Sequence, residues 1–171
     1  MPDIQIIVHG LPAAQGSKRY VGHRRGADGR ERAVLIEQSK RVKPWRRQVA
    51  DAAALVRPAE LMDGPLVADM VFTFDRPKSH YRTGRNAGLL RATAPTAPAV
   101  APDLSKLARS TEDALTGVIW RDDSRVVAYG RLAKVYAGSG DPDALDVPGA
   151  VIRVRAYVPV GLLVTEIGGA A

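Results

Sequence analysis

The stretch Leu66 to Phe74 constrains this chain more than any other. Leu66, Ala68, Met70, Phe72 and Phe74 occur at every second position, so all five point one way along a β-strand. A strand of that kind needs cover for its apolar face, and the sequence offers two helices to provide it. The first is expected from about Val42 to Arg57. There Val42, Trp45, Val49, Ala53 and Val56 recur at three- and four-residue spacing and share one face. Pro44 is tolerated in the first turn, and Pro58 closes the far end. The second helix opens at Asp103 and runs to about Leu115, with Leu104, Leu107, Thr111, Ala114 and Leu115 as its buried stripe and Gly117 as its terminator.

Other segments complete the sheet. Asp3 to His9 is rich in β-branched residues and reads as a strand, broken by Gly10-Leu11-Pro12. Residues 15 to 36, basic and glycine-bearing, suggest a long hairpin or loop. Arg125 to Tyr136 and Ala150 to Val158 read as two further strands, the latter with Ile152, Val154, Ala156 and Val158 on one face. The acidic loop Ser139 to Val147 joins them. Between about 76 and 102 lies a long connection with Pro77, Pro95, Pro98 and Pro102, and a loop of that length in a small domain is usually functional or mobile. The expected fold is α/β (α+β): one domain over residues 1–171, a single mixed sheet with two main helices packed on it.

Composition narrows the partners. With 171 residues, 46% hydrophobic and 25% charged, the chain is ordinary globular material for one domain. No apolar run approaches the roughly 18 residues of a membrane helix. The first residues lack the basic start and apolar stretch of a secretory signal. There is no cysteine, which removes thiolate chemistry and cysteine zinc sites and suits a reducing compartment. A soluble cytoplasmic protein without membrane contact is expected. The net charge is +7. Between Lys18 and Arg47 eleven Lys or Arg face three acids, and from Arg76 to Arg91 there are five cations and no acid. Such clustering favours a polyanionic partner over a merely solvated surface.

The acids stand apart from those basic clusters. Asp103 lies just before a helix, where a carboxylate either caps it or is free for other work. Asp122-Asp123 precedes a strand, where such a pair is either a turn or a ligand pair. A short turn after the helix can bring the two acidic clusters together. Carboxylates inside a basic surface match phosphodiester hydrolysis, because cations hold the backbone while acids hold a magnesium ion that activates water and stabilises the leaving oxygen.

The segments Pro102-Asp103-Leu104-Ser105-Lys106-Leu107, Asp113-Ala114-Leu115-Thr116-Gly117 and Trp120-Arg121-Asp122-Asp123-Ser124-Arg125-Val126-Val127 resemble the signature of RusA-type Holliday junction resolvases. Gly10 to Lys18, Ser39 to Trp45 and Arg76 to Arg82 are similar to phage and prophage members from actinobacteria. The resemblance implies a homodimeric, magnesium-dependent endonuclease that nicks four-way junctions, with Mn2+ able to substitute. Carried over by position, Asp103 is the first metal-binding aspartate, Asp123 the distal one with Asp122 beside it, and Arg109 stands where the family has a catalytic lysine. Arg binds as a planar fork where Lys acts as a point charge.

One position departs from the pattern. Ser105 stands where a second aspartate is expected. Glu112, seven residues on, returns to nearly the same helix face and is the candidate replacement; its alternatives are an ion pair with Arg109 or a plain surface acid. Lys18, Arg19, Lys43, Lys78, His80 and Arg82 are the candidate DNA contacts. Tyr20, Trp45 and Tyr81 sit among basic residues and can stack on bases, although Trp45 suits the apolar helix face better. His9, His23 and His80 show no zinc-ligand spacing, and Gly22 to Gly29 lacks the P-loop pattern. The alternatives to a nuclease are a junction-binding protein that has lost cleavage through Ser105, and a basic RNA-associated module.

Overall fold

A computed structural model describes residues 3–16, 18–25, 28, 30–37 and 40–159. In chain order its main elements are β1 (Ile4–His9), β2 (Lys18–Arg25), β3 (Glu31–Glu37), α1 (Val42–Ala54), β4 (Leu66–Phe74), α2 (Leu104–Leu115), β5 (Val126–Tyr136) and β6 (Gly149–Ala156). Four strands make one mixed sheet in the order β1-β6-β4-β5, with β4 parallel to β5 and antiparallel to β6. The basic segment forms a separate two-stranded sheet, β2 antiparallel to β3. The fold is α+β, as the periodicities imply.

The alternation in β4 does what it promises. Leu66, Ala68, Met70 and Phe72 are buried with Ile4, Ile6 and Val8 of β1 and Ile152 and Val154 of β6. Val42, Trp45, Val49 and Ala53 of α1 close over them, the Trp45 and Phe72 rings lying 6.4 Å apart. Trp45 is fully buried, so it is a core residue and no platform for bases. From α2 the core takes Leu107, Ala108, Ala114 and Leu115, while Leu104 is only half-buried at its edge. Two helices on one face are joined by a polar clamp. Trp45 Nε1 donates to Thr111 Oγ1 at 3.2 Å, and that hydroxyl donates to the Leu107 carbonyl at 2.9 Å.

Some element ends fall short of expectation. Helix α1 stops at Ala54, and Leu55 and Val56 donate instead to carbonyls three residues back, a tightened final turn. Pro58 disfavours helical geometry at Arg57, which leaves Val56 exposed rather than on the buried face. Strand β6 ends at Ala156, so Val158 lies outside it and is exposed. Gly117 has φ +77°, and this left-handed conformation turns the chain out of α2 as the sequence suggested.

The far face of the sheet is polar, and the acidic loop covers it. Asp143 is nearly buried and accepts from Arg131 and Arg153 at 2.6 Å each, while Asp141 also pairs with Arg131. Asp69 accepts from Arg155 at 2.6 Å, and the Leu145 amide donates to Thr73 Oγ1 at 3.0 Å. Several of the chain's acids are thereby spent neutralising arginines of the sheet. The long connection is also held by its own bonds. Arg76 stacks over Tyr136 at 4.2 Å and donates to the Pro95 carbonyl, while Arg82 and Arg91 amides bond back to Leu89 and His80. Two 3-10 turns, Lys78–His80 and Gly84–Asn86, lie within it.

Candidate active site

Helix α2 organises the candidate site, and both of its ends are anchored. At its start the Lys134 ammonium donates to the carbonyls of Val100 and Pro102, at 2.6 and 2.9 Å. The Gln15 amide donates to the Lys106 carbonyl at 3.1 Å, which holds the chain after β1 against the first turn. At its end the Trp120 indole donates to Thr116 Oγ1 at 3.2 Å.

Asp103 occupies the position before the helix with extended geometry, but its side chain makes no capping bond. It turns instead to the next turn, where Lys106 Nζ lies 2.8 Å from Oδ2. Of the two roles open to this residue, the cap is therefore not taken. The Lys106 hydrogen bond and charge hold the Asp103 carboxyl below its ordinary range, with a smaller pull from Lys134. Ser105 and Arg109 are exposed on the same helix. Lys106 and Arg109, with Gln15 and Gly16, line an open cavity of about 390 Å³.

Glu112 belongs to the other end. Tyr129 of β5 donates its hydroxyl to Glu112 Oε1. Burial pushes the Glu112 carboxyl up; the Tyr129 bond opposes this, and the nearby charges of Asp123 and Asp113 add to it. Burial and the Glu112 contact push the Tyr129 phenol up as well. Arg109 and Glu112 form no ion pair within 4 Å among the described residues. Asp122 is the turn-former of its pair: its Oδ1 accepts from the Ser124 amide at 2.9 Å, opening the 3-10 turn Asp123–Arg125. Ser124 holds the Asp122 carboxyl low. Asp123 is exposed beside this turn.

The two acidic groups therefore sit at opposite poles of α2. Asp103 lies with Lys106 and Lys134, and Asp123 lies with Glu112 and Tyr129. From Asp103 to Glu112 is nine residues, about 13 Å along the axis. Glu112 thus keeps company with Asp123 and does not reach the vacancy at Ser105. Among the described residues no three His, Asp or Glu side chains gather within reach of one metal ion. The donors still suit a hard cation: exposed carboxylate oxygens at each pole are what magnesium takes. At Asp103 a positive charge already stands against the carboxylate.

The candidate DNA contacts divide. Lys43, Lys78 and Arg82 are exposed. His80 is half-buried, edge-on to Tyr136 at 5.6 Å, so its ring packs the loop at least as much as it faces solvent. The side chains of Lys18 and Arg19, on β2, lie outside the described residues, as does that of Tyr20. Sequence reasoning did not single out Lys106, Lys134, Tyr129 or Gln15. Only Lys106 carried a local signal, its three-residue spacing from Asp103; the others depend on the tertiary path of the chain.

Carboxylates thus bracket a helix whose exposed turns carry Lys106 and Arg109. A family model described as Endodeoxyribonuclease RusA matches residues 12–143, and the chain belongs to that family. It is also 29% identical over 142 residues to the Bacillus subtilis (strain 168) protein called "Uncharacterized protein YqaN", a match covering 80% of this chain and 90% of the other. No helix among the described residues is long and apolar enough to cross a membrane.

Proposed function

We propose that this chain is a magnesium-dependent, structure-specific endodeoxyribonuclease that nicks four-way junctions or other branched DNA, working as a homodimer in a bacterial cytoplasm on host or phage DNA. The observation that carries the reading is the exposed side of α2. Asp103, Lys106 and Arg109 follow one another at three-residue spacing beside the cavity formed with Gln15 and Gly16, inside the region matched to the family. Asp103 at one pole of α2 and Asp123 at the other would each offer carboxylate oxygens to magnesium, with Asp122 shaping the turn that presents Asp123. When bound, magnesium supplies charge stabilisation at the phosphate and lowers the pKa of a water. Manganese should substitute.

The protein's own groups do the rest. The Arg109 guanidinium, free of any carboxylate within 4 Å among the described residues, can grip two phosphate oxygens at once. The cations in the sequence of β2 and β3, with exposed Lys78 and Arg82 on the long loop, would supply further charge for the DNA backbone. Tyr129 keeps Glu112 turned toward Asp123. A homodimer fits because a four-way junction has two-fold symmetry and needs two symmetrical cuts.

A second reading is favoured by one residue. Ser105 is exposed on the first turn of α2, two residues from Asp103, and offers only a neutral hydroxyl where a carboxylate is expected. In that reading the protein grips junctions without cutting them. A labelled four-way junction incubated with the protein across Mg2+ and Mn2+ titrations separates the two. Paired symmetrical nicks support the nuclease; a shifted but intact junction at every metal concentration supports the binder.

A further inference from the structure

A second cavity is lined by no residue of α2. Asp75, Arg76, Lys78, Tyr81 and Asp146 stand around it, and its volume of about 630 Å³ falls within the roughly 300–1,000 Å³ of ligand clefts. Its frame is held by bonds. Arg76 lies over Tyr136 at 4.2 Å and donates to the Pro95 carbonyl at 2.7 Å. The Tyr81 backbone is tied twice, its amide donating to the Lys78 carbonyl at 3.1 Å and its carbonyl accepting from Arg91 Nε at 2.8 Å. The charges around it are not spent. Asp75, Lys78 and Asp146 are exposed and form no ion pair within 4 Å among the described residues, whereas Asp141 and Asp143 of the same acidic loop are both held by arginines.

The mixed sign of the lining selects its occupant. Two free carboxylates repel a phosphate alone. A ligand that offers N–H donors to an acid, a carbonyl to a cation and a flat face to a phenol ring meets every group. Guanine is the base that does so: N1–H and the 2-amino group are adjacent donors for one carboxylate, and O6 is an acceptor beside them. Cytosine and adenine set an acceptor next to their amine, and thymine has one donor between two acceptors. The segment Arg76 to Arg91, with five cations and no acid, supplies charge for the backbone that carries the base. We propose that this cavity is a pocket for an unstacked guanine of the DNA substrate. Asp75 or Asp146 accepts from N1 and the 2-amino group, Lys78 donates to O6 or to the adjoining phosphate, and the Tyr81 ring stacks on the base. The proposal rests on the reading of the chain as a branched-DNA protein and extends it, because bases at a branch point have lost a stacking neighbour and cost least to displace.

Binding to the full-length chain in EDTA tests this without cutting. Four-way junctions with one unpaired nucleotide at the branch point, bearing guanine, adenine, cytosine, thymine or hypoxanthine, are compared with a fully paired junction. Guanine should bind about tenfold more tightly than the other natural bases, and hypoxanthine, which lacks the 2-amino group, should lose most of that gain. The double variant Asp75→Asn, Asp146→Asn should abolish the guanine preference while binding the fully paired junction at least as well as the natural chain. Tyr81→Leu should weaken every unpaired-base junction about tenfold relative to the paired one. Equal affinity for guanine and hypoxanthine, or a preference that survives in the double variant, overturns the proposal while junction binding itself keeps the wider reading. Binding of dGMP as tight as that of the guanine junction overturns it in favour of a free nucleotide. If no junction binds, the branched-DNA reading fails and the proposal falls with it.

Discussion

Replacing Thr111 with valine tests how α2 is held. Trp45 is fully buried, and its indole N–H has Thr111 Oγ1 as acceptor at 3.2 Å. Valine nearly preserves the volume but removes that oxygen, leaving a buried donor without a partner at a cost of about 1–3 kcal/mol. The Leu107 carbonyl loses the hydroxyl at 2.9 Å but keeps the ordinary helical N–H, so it adds little. The added methyl recovers part of the loss, for a net destabilisation of about 1–2 kcal/mol. In a domain of this size that lowers Tm by about 2–8 °C. Trp45→Phe removes the donor itself, so in its background the valine substitution should cost about 1 kcal/mol less. Urea denaturation followed by far-ultraviolet circular dichroism on the four proteins gives the cycle. A Thr111→Val protein as stable as the natural one, or strictly additive costs, would refute the clamp.

Two further outcomes follow from the charges. Arg153 and Arg131 hold the Asp143 carboxyl below its ordinary value, and Arg131 does the same for Asp141. Their contribution is complete above the unfolded carboxyl value near 4 and disappears as pH falls through the lower folded values. Asp143→Asn should therefore cost about 1–2 kcal/mol at pH 7, with the gap narrowing below about pH 4, as thermal melts across pH would record. Ser105→Asp returns a carboxylate to the exposed first turn of α2 and should lower the Mg2+ concentration for half-maximal nicking about tenfold, a requirement read directly from a metal titration.

The architecture was legible because its signals are local. The alternation in β4, the three- and four-residue spacing of Val42, Trp45, Val49 and Ala53, and the stop at Gly117 each act within a few residues. The site was legible only by residue. Spacing named Asp103, Arg109, Glu112 and Asp123, but which acid meets which depends on the path from Gly117 through Asp122 to β5. That path sets Asp123 beside Glu112 and Tyr129 and leaves Asp103 with Lys106 and Lys134. Helical spacing makes Glu112 the candidate replacement for the aspartate absent at Ser105; Tyr129, on β5, donates to its carboxylate at the other end of the helix. The far-face network of Asp69, Asp141 and Asp143 was likewise invisible, because an acidic loop gives no sign of folding back onto arginines of the sheet.

The central claim is that Asp103 and Asp123, though at opposite poles of α2, serve one metal-dependent cutting reaction. Asp103→Asn and Asp123→Asn should each retain junction binding in Ca2+ and lose nicking of a labelled four-way junction in Mg2+ by at least about a hundredfold. Nicking by either variant at the natural rate, with the metal requirement unchanged, would contradict the account.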